Sequence, residues 1–231
     1  MYYIILCQYS KYTAGNRSNM NGFERRKEQK KEAIKHAAAF LFLESSPGKV
    51  TMKEIADRAN VSHVTIFKYF TSKQDLVQEV IRWCFEQEYK QLEDILKGEQ
   101  SYLVRLKEMM SFKRKVYDPA SLDFYNLATV SDPGRMADTI SFFQDKKSKL
   151  YHEFLQEGKD KGFIRPDASV DAMITLIEGL RALLKAKPEL LAEMMYHKTL
   201  LEDCTKVLLF GVMGKQEMKE VFDQLSRPSG R

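Results

Sequence analysis

The chain has 231 residues, 44% hydrophobic and 30% charged, enough for one or two domains with an ample core and typical of a soluble globular protein. Six prolines, eleven glycines and few runs of Val or Thr argue against strands. The net charge of +5 is unevenly placed: residues 24–73 carry +5, residues 1–23 carry +2 and residues 74–231 carry −2.

That asymmetry suits attraction to phosphate. A solvated charged helix would read the same way, because Glu24, Glu28 and Glu32 alternate with the basic residues. Residues 1–22 look foreign to the rest and are expected to be a disordered or upstream-start extension, dispensable through residue 19. Tyr2 to Cys7 is too short to cross a membrane, and no secretory signal pattern precedes it.

A first helix is expected over Phe23 to Glu44, stopped by Ser45-Ser46-Pro47-Gly48. Thr51 and Glu54 then form T-x-x-E, a capping box that starts a second helix. Met52, Ile55, Ala56 and Ala59 make one apolar stripe along it. Asn60 stands where the chain must turn and tolerates positive φ. Ser62 can cap a third helix of about two turns, ending near Phe70. Val64, Ile66 and Phe67 are expected to point inward, leaving His63, Thr65, Lys68 and Tyr69 outward. Such a small, polar, basic face fits the major groove of DNA. Ser72 and Asp75 cap the next helix, which places Lys73 beside free amides as a phosphate grip.

That fourth helix runs from Lys73 to about Leu96 and ends at Gly98. Beyond it the chain is helical by period. Helices are expected over Tyr102 to Val116, from Asp118-Pro119, from Asp132-Pro133 to Lys161-Gly162, over Asp167 to Ala186, and over Pro188 to Val212. Residues 215–231 read as a frayed tail. The helices at 167–186 and 188–212 carry more apolar surface than one face of a small bundle needs, which suggests a partner surface. Core packing is the plainer account of the same residues.

No Gly-rich phosphate loop, H-E-x-x-H or G-x-S-x-G occurs, so no enzyme activity is expected. Cys7, Cys84 and Cys204 are far apart, which supports neither a zinc site nor a disulfide framework. Neither a cofactor nor a metal is expected. Free thiols suit a reducing cytoplasm.

The stretch T-M-x-x-I-A-x-x-A-x-V-S-x-x-T-I-F-x-Y-F-x-S-K-x-x-L, Thr51 to Leu76, resembles the signature of the TetR family of bacterial transcriptional regulators. Ile34, Ala37, Ala38, Leu41 and Phe42 match that family's first helix, so the likeness spans about Phe23 to Arg82. Three positions depart from it. Asn60 stands where Gly is frequent, Val64 where Gly, Ala or Pro is frequent, and Phe67 where Tyr is usual. The resemblance implies an all-α chain of about nine helices. A three-helix DNA-binding unit at 23–72, with its helix-turn-helix at about 52–71, would precede a ligand-binding and dimerisation bundle at 73–214.

Its function would be that of a ligand-responsive repressor, a homodimer on a palindromic operator, paired through the helices at 167–186 and 188–212. Expected DNA contacts are Thr51, Ser62, His63, Val64, Thr65, Lys68, Tyr69 and Lys73. The resemblance also implies a small-molecule pocket in the middle region, for an apolar or aromatic effector. Trp83, Phe112, Phe124, Tyr125, Phe143 and Met173 are its candidate lining, although bulky side chains like these are more often plain core. Two rival readings use the same residues: a sequence-nonspecific nucleic-acid-binding protein, and a helical scaffold whose helix-turn-helix is inactive.

Overall fold

The computed structural model of the chain describes residues 21–45, 47–116, 133–187 and 189–190, with 207 and 211. The regular elements among them are all helices. Phe124 and Tyr125, the expected start at Asp118-Pro119, most of 188–212, residues 1–20 and the 215–231 tail lie outside the described residues. The described chain falls into two compact units. Among the described residues, unit 1 holds 21–88, 115–116 and 133–142, and unit 2 holds 89–114 and the residues from 143 onward.

Unit 1 opens with α1 (Gly22–Glu44). The Asn21 side chain caps it, accepting from the amides of Phe23 and Glu24 at 3.1 and 2.9 Å. Its early turns are exposed through Lys30, and burial begins around Ile34. Ile34, Ala38 and Ala39 are fully buried, with Ala37 and Phe42 nearly so. Next come α2 (Met52–Arg58), α3 (His63–Phe67) and α4 (Lys73–Leu96). Ile55 and Ala56 of α2, Ile66 of α3, and Phe70, Leu76 and Val80 beyond it complete the core. The turn between α2 and α3 has the geometry expected of it. Asn60 takes φ 53°, and the Val61 amide returns to the Ala56 carbonyl at 3.0 Å.

Charged and aromatic groups pack behind this core. Lys31 reaches Glu79 at 3.3 Å. Lys35 is almost wholly buried, pairs with Glu32, and sits 5.7 Å from the centre of the Trp83 ring. His36 meets the same ring edge-on, with centroids 4.7 Å apart. Burial is the main reason the Cys84 thiol is pushed up to about 12, with the Glu88 carboxylate adding to it, so Cys84 stays protonated and inert.

Unit 2 contains the end of α4, α5 (Tyr102–Val116) through Arg114, the later turns of α6 (Pro133–Asp160), and α7 (Val170–Ala186). The bounds expected for α4 and α5, and the start of α6 at Pro133, match these. The last of the four differs: α7 is capped by Ser169, which accepts from Ala172 N at 3.2 Å. Asp167 pairs instead with Arg165 at 2.9 Å, so it lies ahead of the helix. Tyr102 lies stacked between Phe154 and Phe163, at 4.5 and 4.8 Å. Beside it, buried Arg105 donates to the carbonyls of Leu96 and Gln100 and to Glu157. That contact is the main cause holding the Glu157 carboxyl below its usual range. A second small cluster joins Ile164, Val170 and Met173. No described helix is long and apolar enough to cross a membrane.

A Cβ at Gly158 would overlap the Tyr102 hydroxyl and crowd Ile164. Gly158→Ala is therefore expected to lower stability by about 1–3 kcal/mol, the usual cost of overpacking, measured by urea unfolding. An unchanged midpoint would contradict the stacked arrangement. Burial lowers the pKa of His36 from the ordinary 6.5, with Lys35 adding to the effect against Glu32. Near that pH the folded state then binds fewer protons than the unfolded state. Stability should fall as pH drops through 6.5, and His36→Gln should flatten that slope, followed through Trp83 fluorescence. A slope of the opposite sign would refute the burial of the imidazole.

Candidate nucleic-acid interface

Three short-range devices set the geometry of the α2–α3 region. At Thr51 the capping box is complete. Glu54 N donates to Thr51 Oγ1 at 3.2 Å, and Glu54 Oε2 accepts from Thr51 N and Oγ1 at 2.7 and 2.8 Å. Those bonds, the backbone one first, hold the Glu54 carboxyl below its usual range. At Ser62, Oγ accepts from Thr65 N at 3.1 Å and lies 2.7 Å from Thr65 Oγ1. At the start of α4, Ser72 Oγ accepts from Asp75 N at 3.1 Å, while Asp75 accepts from Thr71 N at 2.8 Å.

Between these anchors α3 is shorter than the sequence suggests. Its α-helix ends at Phe67, and the amides of Tyr69 and Phe70, both 2.9 Å from the Ile66 carbonyl, carry the turn onward. Only Ile66 of this helix is buried. Val64 and Phe67, expected to point inward, are instead 67% and 47% exposed. The reason is angular. At about 100° per residue, Ile66 and Phe70 define the inward line, Phe67 is a quarter turn off it, and Val64 is on the far side. The outward face therefore carries His63, Val64, Phe67 and Lys68, with Thr65 and Tyr69 half-buried at its margins. His63 and Phe67 meet edge-to-face at 5.0 Å.

Thr51 and Lys73 belong to the same neighbourhood. Lys73 Nζ donates to the Gly48 carbonyl at 3.3 Å and its charge acts on Glu54. Lys49, Lys53 and Lys68 are exposed around this region, as are Arg25, Arg26, Lys27 and Lys30 on the first turns of α1. Arg58 lies over the Phe40 ring, 3.3 Å from its centre. All eight residues expected at a DNA interface thus fall in unit 1, on or beside one capped helical turn.

Residues 34–80 match the family model described as bacterial regulatory proteins of the tetR family. Over 147 residues the chain is 26% identical to the HTH-type transcriptional repressor KstR2 of Mycobacterium tuberculosis, covering 61% of this chain and 72% of that protein. KstR2 of Mycolicibacterium smegmatis is 27% identical over 157 residues, 64% of this chain and 74% of its own length. Residues 34–80 thus carry a TetR-family segment. The fold of the chain is similar to that of the fatty acid degradation regulator FadR from Bacillus halodurans, with a TM-score of 0.51 at 20% identity over 84% of this chain and 96% of that one.

The residues proposed from sequence to line a pocket are dispersed. Trp83 is buried in unit 1 against His36 and Lys35. Phe112, Phe143 and Met173 are buried in unit 2. None of them lines the cleft of about 460 Å³ in unit 2, whose walls include Leu96, Lys97, Arg105, Glu153, Phe154 and Glu157. Three buried cations among the described residues, Lys35, Arg105 and Lys147, had no signature in the sequence, because charged positions in a helical pattern read as surface.

Loss of the capping box should be measurable. Thr51→Ala is expected to cost about 1 kcal/mol, seen as a lower urea midpoint with unchanged m-value. Unchanged stability would mean that the box does not hold α2.

Proposed function

We propose that this chain is a TetR-family repressor acting as a homodimer on a palindromic DNA operator in the cytoplasm, released by a small effector. The observation that carries this reading is the outward face of α3, with His63 and Lys68 exposed on a capped turn beside Thr51 and Lys73. Such a turn can enter the major groove while flanking lysines and hydroxyls meet phosphates. Similarity to KstR2, a repressor by its description, favours repression over activation.

One α3 reads only a few base pairs. Two of them, held about 34 Å apart by a two-fold axis, would read a palindrome. The 167–186 region supports such pairing. On α7, Leu176 is 59% and Leu183 42% exposed, and Ala172, Gly179 and Ala186 continue the same exposed side. An apolar strip of that length suits an isologous contact between copies, extended by the 188–212 segment. We infer an apolar or aromatic effector, since the aromatic and methionine side chains of unit 2, Phe112, Phe143 and Met173 among them, are of the adaptable kind that lines such sites. The effector acts by binding one arrangement of the dimer more tightly than the other.

Selection of bound duplexes from a random DNA pool, with sedimentation of the free protein, tests this directly. A dimer and a two-fold symmetric consensus are expected. A monomer, or binding without sequence preference, would overturn it. Within that framework, Lys68→Ala and Tyr69→Phe should weaken binding evenly across sequences, whereas His63→Ala should cost about 1–3 kcal/mol and relax preference at one position of the half-site.

A further inference from the structure

The face of α3 is not simply polar. Val64 and Phe67 are among the exposed large hydrophobic residues of the chain, at 67% and 47%. They stand side by side on the turn, bracketed by His63 and Lys68. The Phe67 ring is oriented by its edge-to-face contact with His63, 69° between planes. A five-residue helix gains no stability from apolar groups left in water. Their exposure on the outward side therefore points to a surface they meet when bound.

The following rests on the reading of α3 as the element that enters the major groove. There the base edges present donors and acceptors, except at thymine, which adds a 5-methyl group. Val64 and Phe67 cannot hydrogen-bond. Set against guanine, adenine or cytosine edges, they would strip water from donors and acceptors and return nothing. Set against thymine, they bury a methyl group against an isopropyl and a phenyl ring. The phenyl carries no hydroxyl, so at Phe67 packing is the only interaction available. We propose that Val64 and Phe67 are specificity-determining residues that pack on thymine 5-methyl groups within each operator half-site. A protein partner on the same patch is the competing occupant. The exposed cations Lys49, Lys53 and Lys68, together with Lys73, favour a polyanion there.

The test uses the full chain and the duplex that it selects. Each thymine is replaced singly by deoxyuridine, which removes the methyl group and leaves pairing and phosphates unchanged. Wild type should lose about fourfold in affinity at one or two positions per half-site, the effect of exposing one methylene-sized group. Val64→Ala and Phe67→Ala should bind the parent duplex more weakly, and each should be insensitive to deoxyuridine at its matching position. Both side chains are exposed, so the variants should keep the wild-type thermal transition, which is measured alongside. If deoxyuridine is tolerated at every position, or the variants lose as much as wild type, the inference is overturned while the regulator reading stands. If no duplex is selected, both fall together.

Discussion

A helix of five residues cannot hold itself together. Its few hydrogen bonds do not offset the cost of nucleating a turn, and isolated helices much longer than this are marginal in water. α3 exists because its surroundings fix it. Ile66 and Phe70 are sunk into the core beside Ile55 and Ala56. Ser62 closes its first turn, and Asn60 takes the left-handed conformation that brings the chain round. The four outward side chains have their angle set by two inward ones. Every functional statement about this chain depends on that constraint.

The charges sort by what they do. Lys35 and Arg105 are buried and bound to carboxylates or carbonyls, so they serve the fold and answer to its low dielectric. Removing either would strand a partner, and the penalty would come from that partner rather than from the lost attraction. Lys31 is tied to Glu79. The lysines and arginines around α2, α3 and the start of α1 are mostly exposed, where a charge contributes little to stability. They do raise the local concentration of a polyanion. The +5 carried by residues 24–73 is therefore better understood through encounter with DNA than through folding.

Much of this was legible in the sequence, for a physical reason. Caps and turns are local, so Thr51 with Glu54, Asn60 and Ser62 announce themselves within three or four residues. Long helices reveal their period, which is why Lys73–Leu96 could be bounded from its apolar spacing and its terminating Gly98. The failures lie where those signals are too short or absent. On a single turn, periodicity cannot say whether Val64 or Ile66 faces inward, and only packing against α2 decides it. Stacking of Tyr102 between Phe154 and Phe163 joins residues far apart in sequence, which no local pattern records. Met173 shares its cluster with Ile164 and Val170 rather than with the aromatic residues grouped with it from sequence.

The central claim is that the outward side of α3 is the surface that meets DNA. Amide hydrogen exchange of the full chain, with and without its selected duplex, addresses it most directly. The account predicts that exchange slows over residues 62–70 and at the starts of α2 and α4 when the duplex is present. Unchanged exchange there, with protection appearing only elsewhere in the chain, would contradict it.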